Sequence, residues 1–218
     1  MNSKINREER GNVMSLFPVP VVITNIGRKL TEDELRCLLN ISMKEKGNSA
    51  NHQSKDFYLF DTFAEELNDI KSFCEHELER YLKEIEGIDT DRATLRITQS
   101  WLNRTKPSEY HLPHDHPNSY LSSVFYISCL PNDHINLNNR MYGSFNTMRF
   151  LLKKTTAWNS DGFRQDVTEG DLIIFPSWMM HNVDENKTDK ERISLSFDTF
   201  PIGELGGYGA TILEHLKL

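Results

Sequence analysis

From Arg92 to Phe200 the chain is written in short apolar runs broken by polar turns, and no helical period interrupts them. The runs are Ala93–Leu102, Leu121–Leu130, Met148–Lys153, Asp171–Phe175 and Ile193–Phe200. Strands this short and this closely spaced leave an antiparallel sandwich or barrel as the natural fold. Upstream the texture differs. Leu16–Ile26 is β-branched and punctuated by Pro18 and Pro20, which predicts a strand near a sheet edge. Thr31 with Glu34 three residues on predicts a capping box, and Leu35, Leu38, Leu39 and Met43 recur at helical spacing until Gly47. Thr62 is expected to open a second helix that holds the 3.6-residue period from Phe63 through Ile85 to Gly87. Helices first and strands second make an α+β chain, mainly β, whose N-terminal helices cover a jelly-roll-like core. The expected organisation is one domain over 1–218: a strand and helical cover over 1–90, the β core over 91–200, and a tail or helix over 201–218.

Length and charge then narrow the classes of function. A chain of 218 residues can bury a core without a disulfide or metal staple. Its 25 Lys+Arg against 32 Asp+Glu leave a net charge of −7, which argues against a general nucleic-acid binder. No stretch approaches the ~18 apolar residues of a membrane span, and the polar N-terminus MNSKINREERGN shows no secretory signal. Cys37, Cys74 and Cys129 are scattered and unpaired in pattern, which fits a reducing, cytoplasmic setting. The run Gly203–Gly209 mimics a phosphate loop, but no Lys-Ser/Thr closes it. It reads as a flexible turn into a terminal helix over Ala210–Leu216. Trp101, Trp158 and Trp178 read as core or pocket wall.

The chemistry gathers around histidine. His111, His114 and His116 fall within EYHLPHDHPNS. If that stretch is extended, His114 and His116 share one face and Asp115 takes the other. Two imidazoles so placed can grip one metal ion, and His181, in FPSWMMHNV, is the best-placed third ligand. Imidazole suits iron, zinc, copper or nickel. Further on, Arg192, Ser194 and Ser196 alternate with Ile193, Leu195 and Phe197. A strand here puts the apolar side on the core and sets a guanidinium beside a hydroxyl in a pocket. Arg suits that place, because its planar fork binds a carboxylate bidentately and keeps its charge.

The frame His114-x-His116, Val124-Phe125-Tyr126-Ile127, then His181-x(10)-Arg192-x-Ser194 resembles the Fe(II)/2-oxoglutarate-dependent dioxygenases. It is most similar to a branch of oxygenases of unassigned substrate found in marine bacteria and their phages. That branch shares the LFP-x-P start (Leu16 to Pro20), the block from His116 to Tyr126, and the block from Gly170 to His181. The resemblance implies a double-stranded β-helix, a jelly roll with iron at one open end. It implies His114 as first ligand and His181 as last. The middle ligand, usually a carboxylate, aligns with His116, which makes the iron site one charge unit more positive. Asp115 is the alternative, turned away by strand alternation unless a bulge intervenes.

By the same resemblance Arg192 would pair with the distal carboxylate of 2-oxoglutarate, with Ser194 and Tyr126 adding hydrogen bonds. The implied cofactors are Fe(II), 2-oxoglutarate as co-substrate, and O2. The implied activity is that of an oxidoreductase, a hydroxylase that couples 2-oxoglutarate decarboxylation to substrate oxidation. The substrate, a small molecule or peptide, would be chosen by the loops Asn132–Thr147 and Thr155–Gln165 together with the N-terminal helices; Arg140, Tyr142, Arg149, Trp158 and Arg164 lie in or between those loops. A homodimer is left open, and a phage-encoded protein would work in the host cytoplasm. Two other readings stand beside this one: a three-His cupin-type metal dioxygenase without 2-oxoglutarate, and a non-catalytic β-sandwich binding module. Arg192 separates the first two, because a cupin-type enzyme has no use for a carboxylate clamp.

Overall fold

The computed structural model describes residues 15–45, 51–139, 148, 150–206 and 216–217. The N-terminal part holds strand β1 (Val22–Asn25), helix α1 (Glu32–Leu39), the short strands β2 (Met43–Glu45) and β3 (His52–Ser54), and helices α2 (Leu59–Thr62) and α3 (Asn68–Arg80). Helix α3 runs on into a π-helical turn, Tyr81–Glu86. The β part follows with β4 (Ala93–Thr105), β5 (His111–His114), β6 (Leu121–Ser128), β7 (His134–Asn138) and β8 (Gly162–Asp166). It ends with β9 (Asp171–Pro176), β10 (Met180–Val183), β11 (Arg192–Leu205) and β12 (Leu216–Lys217). All described strand pairs are antiparallel. The larger sheet runs β1-β9-β6-β11-β4-β3-β2, with β12 attached to β11, and the smaller runs β5-β10-β7-β8.

Period-2 alternation explains how the layers stack. On β6, Phe125 and Ile127 turn toward the helices, while Val124 and Tyr126 turn toward the smaller sheet. Strand β9 divides in the same way, Leu172 and Ile174 against Ile173 and Phe175. Both faces of the large sheet's centre are therefore buried. The helical layer fills one side with Leu38, Ile70, Cys74, Leu78 and Tyr81, and the small sheet covers the other with Ile135 and Leu137. Each such side chain, fully removed from water, contributes about 2 kcal/mol. The helical cover is thus a structural layer, and the interior between the sheets is where a site can form. Among the described residues no helix is long and apolar enough to cross a membrane.

Local signals were partly right. Thr31 caps α1 through a reciprocal box: its Oγ1 accepts from the Glu34 N–H at 3.2 Å, and Glu34 accepts from the Thr31 N–H at 2.7 Å. Arg28 holds the same carboxylate with two bonds, at 2.8 and 2.6 Å. Because Arg28 stays when the cap goes, Thr31→Ala is expected to cost only about 1 kcal/mol in denaturant unfolding. A loss above 3 kcal/mol would show that the box does more than cap. Gly87 ends the helical cover in the left-handed region, φ 69°.

Several expectations need correction. Met43 lies in β2, because α1 stops at Leu39 with Asn40 as its C-cap. Thr62 ends a short helix instead of opening a long one; its hydroxyl donates back to Asp56 at 2.6 Å, and α3 begins only at Asn68. Met148, and Leu151 to Lys153 after it, form no strand. Met148, Phe150, Leu151 and Leu152 are exposed, an apolar run with no alternation and, among the described residues, no partner strand to bury it. The presumed loops 132–147 and 155–165 in fact contribute β7 and the start of β8. Leu216 belongs to β12, paired with Leu205, while the rest of the expected terminal helix, 210–215, lies outside the described residues. Gly47, Arg140, Tyr142 and Arg149 also lie outside them. Trp101 is buried as expected, but Trp158 and Trp178 are exposed.

Candidate metal centre

Strand pairing builds the site. In the small sheet, His181 of β10 stands directly opposite His114 of β5. His116 lies just beyond β5, where its backbone N–H donates to the Ser177 carbonyl at 2.9 Å. The three imidazoles offer ligand atoms that all lie within 4.8 Å of one another. Their ring centroids are 4.2 Å apart for His114 and His181, and 5.1 Å for His116 to either partner. Asp115 is not part of this cluster. His111 stacks on His114 at 4.1 Å and joins the pocket wall without entering the cluster.

Hydrogen bonding sets which nitrogen of each ring acts as donor. The Nδ1 atom of His114 meets the Leu112 carbonyl at 2.8 Å, that of His181 the Met179 carbonyl at 3.0 Å, and that of His116 an Asp198 carboxylate oxygen at 2.7 Å. Carbonyl and carboxylate oxygens only accept, so each Nδ1 is the donor, and in the neutral ring that tautomer leaves the lone pair on Nε2. Three pre-oriented imidazole donors fit a divalent transition metal.

The same pocket is lined by Tyr126, Arg192, Ser194 and Ser196, together with the three clustered histidines. On β11, Arg192, Ser194 and Ser196 face it, while Ile193, Leu195 and Phe197 enter the helix-side core, as alternation predicts. Arg192 is only 3% exposed and does not stand alone. Its Nη1 lies 3.3 Å from an Asp133 carboxylate oxygen and 3.4 Å from the His134 carbonyl, and its guanidinium carbon sits 5.1 Å from the Tyr126 ring centroid. Asp133 was not anticipated. It accepts the backbone N–H groups of Leu130 and His134, so in the sequence it reads as an ordinary turn aspartate.

The Tyr126 hydroxyl is buried and makes no hydrogen bond of ordinary geometry. Burial pushes its pKa up to about 12, an effect the Arg192 charge only partly offsets. At neutral pH it is therefore a protonated donor in need of an acceptor. A guanidinium, a phenol and a serine hydroxyl around one pocket fit a carboxylate ligand. Electrostatically the pocket has a protonated donor end and an imidazole end.

A family model described as "Putative 2OG-Fe(II) oxygenase" matches residues 99–198. That segment contains all three clustered histidines, Tyr126, Asp133, Arg192 and Ser194. No curated protein matches the sequence. Among solved structures, a prolyl hydroxylase from Trichoplax adhaerens, in complex with a hypoxia inducible factor peptide fragment, is similar at 12% identity. The match covers 83% of each chain with a TM-score of 0.57. The epimerase SnoN, solved with Fe3+, alpha ketoglutarate and nogalamycin RO, is 13% identical over 92% of this chain and 91% of its own, TM-score 0.54. HygX from Streptomyces hygroscopicus, with nickel and 2-oxoglutarate bound, is 12% identical over 83% of this chain and 82% of its own, TM-score 0.52. At such identities the likeness is one of fold, the jelly roll that the strand pattern predicts. The segment that matches the family model carries every side chain of the cluster, and over it this chain is similar to the Fe(II)/2-oxoglutarate-dependent oxygenases.

Proposed function

We propose that the protein is an Fe(II)- and 2-oxoglutarate-dependent hydroxylase acting on a small molecule or peptide. One observation carries the reading: a single pocket presents three convergent imidazoles and, beside them, a buried guanidinium with an unsatisfied phenol. His114, His116 and His181 hold the iron. Arg192, Tyr126 and Ser194 bind the distal carboxylate of 2-oxoglutarate and so orient its other end toward the metal. Bound iron supplies O2 activation coupled to decarboxylation of 2-oxoglutarate to succinate, so no protein nucleophile is called for. The protein's own work is to position the co-substrate and to keep the pocket dry. Substrate selection falls to the excursion between β7 and β8. It leaves the small sheet at Asn138, which pairs with Met180 beside His181. The three cysteines are free, which suits the cytoplasmic setting we assign.

The all-imidazole cluster favours a second reading, a three-His dioxygenase that needs no 2-oxoglutarate. Anaerobic titration separates the two. Adding Fe(II) and then 2-oxoglutarate is expected to raise a metal-to-ligand charge-transfer band in the visible range, and admitting O2 to release succinate. Metal uptake with neither band nor succinate would leave the second reading in possession; no metal uptake at all would leave a binding module.

A further inference from the structure

Resting on the metal reading above, one of the three histidines is held differently from the others. His114 and His181 anchor Nδ1 on backbone carbonyls two residues back in their own segments. His116 anchors it on the side chain of a residue 82 positions away in sequence, Asp198 of β11. We propose that Asp198 is a positioning residue of the metal centre, fixing the His116 ring and lending the site the negative charge that three neutral imidazoles lack.

Asp198 follows Arg192, Ser194 and Ser196 in the alternating row of β11. Where it sits, the pairing of β11 with β4 shifts register, between Asp198 and Thr199. The extra residue there is Thr98 of β4, so Asp198 keeps the alternation of β11 and its carboxylate reaches His116 from the same face as Arg192, Ser194 and Ser196. The same Oδ1 atom that meets His116 at 2.7 Å also accepts from the Ser122 hydroxyl at 2.6 Å. The Ser122 and Ser177 hydroxyls lie 2.8 Å apart, and the Ser177 carbonyl accepts the His116 backbone N–H. The contacts close a ring: His116 side chain, Asp198, Ser122, Ser177, and back to the His116 backbone. Its members come from four different segments, and Ser122 and Ser177 are almost wholly buried. Trp101 flanks the imidazole, with ring centroids 5.6 Å apart.

Charge explains why a carboxylate here matters more than another carbonyl would. A divalent ion held by three neutral imidazoles keeps its full double charge. One carboxylate, a single hydrogen bond beyond a ligand, returns the local total to that of a site with a carboxylate among its ligands. A histidine that donates to a carboxylate is also a stronger base toward a metal than one that donates to a carbonyl, and loss of such a partner costs about 10–100-fold in metal affinity.

The test uses Co(II) binding to the full chain, read by equilibrium titration and by the ligand-field spectrum, with apo-protein unfolding measured alongside. Asp198→Asn keeps the shape, and an amide oxygen that can still accept from His116, but removes the charge. It is expected to bind cobalt about tenfold more weakly, with altered ligand-field bands and an unchanged apo unfolding midpoint. Asp198→Ala removes the anchor as well and is expected to approach a hundredfold loss. If Asp198→Asn matches the parent in affinity and spectrum, the proposal fails while the metal reading stands. It fails too if cobalt affinity falls only in step with apo stability across both variants. Absence of cobalt binding by the parent itself would remove the metal reading and this proposal together.

Discussion

Replacing Arg192 by Met is expected to harm the protein twice, and the two losses come apart on a second substitution. The first is functional. Charge-assisted bonds to a carboxylate are worth about 1.5–3 kcal/mol each, so a fork that makes two should leave 2-oxoglutarate bound roughly 100-fold more weakly or worse, with metal uptake intact. The second is structural. Asp133 is buried like Arg192, and without the guanidinium its carboxylate is an uncompensated interior charge. Breaking such a pair from one side costs about 3–5 kcal/mol. Adding Asp133→Asn to Arg192→Met removes the stranded charge and should recover most of the stability while restoring no co-substrate binding. Denaturant unfolding and 2-oxoglutarate titration of the single and double variants separate the effects. Recovery of 2-oxoglutarate affinity in the double variant would show that Arg192 acts on the fold and not on the ligand.

His181→Ala carries the other large effect. The imidazole is buried at the centre of the cluster, opposite His114 and 4.8 Å from the Phe175 ring. Only two convergent donors remain without it, and Co(II) or Fe(II) uptake is expected to fall more than 1000-fold, a loss of about 4 kcal/mol or more. Succinate release should become undetectable. The fold should survive, because the lost Nδ1 bond ran only to the Met179 carbonyl in the same short segment. His111→Ala is the matched control: it deletes a ring stacked on His114 but outside the cluster, and metal uptake should stay within a few-fold of the parent. Equal losses in the two variants would mean that histidine stacking, and not shared coordination, holds the site together.

The strand texture after Arg92 is sufficient for the fold class, because strands buried on both faces are written as short apolar runs bounded by polar turns. The site was legible where its residues share a local pattern: His114 and His116 in one segment, and Arg192, Ser194 and Ser196 on one face of one strand. It was not legible where a residue's role depends on a distant partner. Asp133 looks like a turn residue and Asp198 like one more polar position at the end of a strand. Only the packing of segments from the small sheet's side against β11 of the large sheet brings the first to Arg192 and the second to His116. The short strands β2, β3 and β10 were equally hidden, since three or four residues carry too little alternation to be told from a loop. His134–Asn138 did alternate, but its neighbours Pro131, Asn132 and Asp133 suggested a turn that ran on too far. The exposed run from Met148 fails the other way: it is apolar enough to read as a strand but has no period to fix a buried face.

Strand β11 has a further consequence for how errors are handled as the chain folds. It pairs with both β4 and β6, turning Ile193, Leu195 and Phe197 to one layer and Arg192, Ser194 and Ser196 to the other. A slip of one residue would exchange the two sets, putting a guanidinium into the helix-side core and three large apolar groups into the polar pocket. A misregistered molecule is therefore not a stable but inactive one; it is unfolded. Because the binding groups are threaded between the side chains that hold the core, the sheet proofreads the site as it forms.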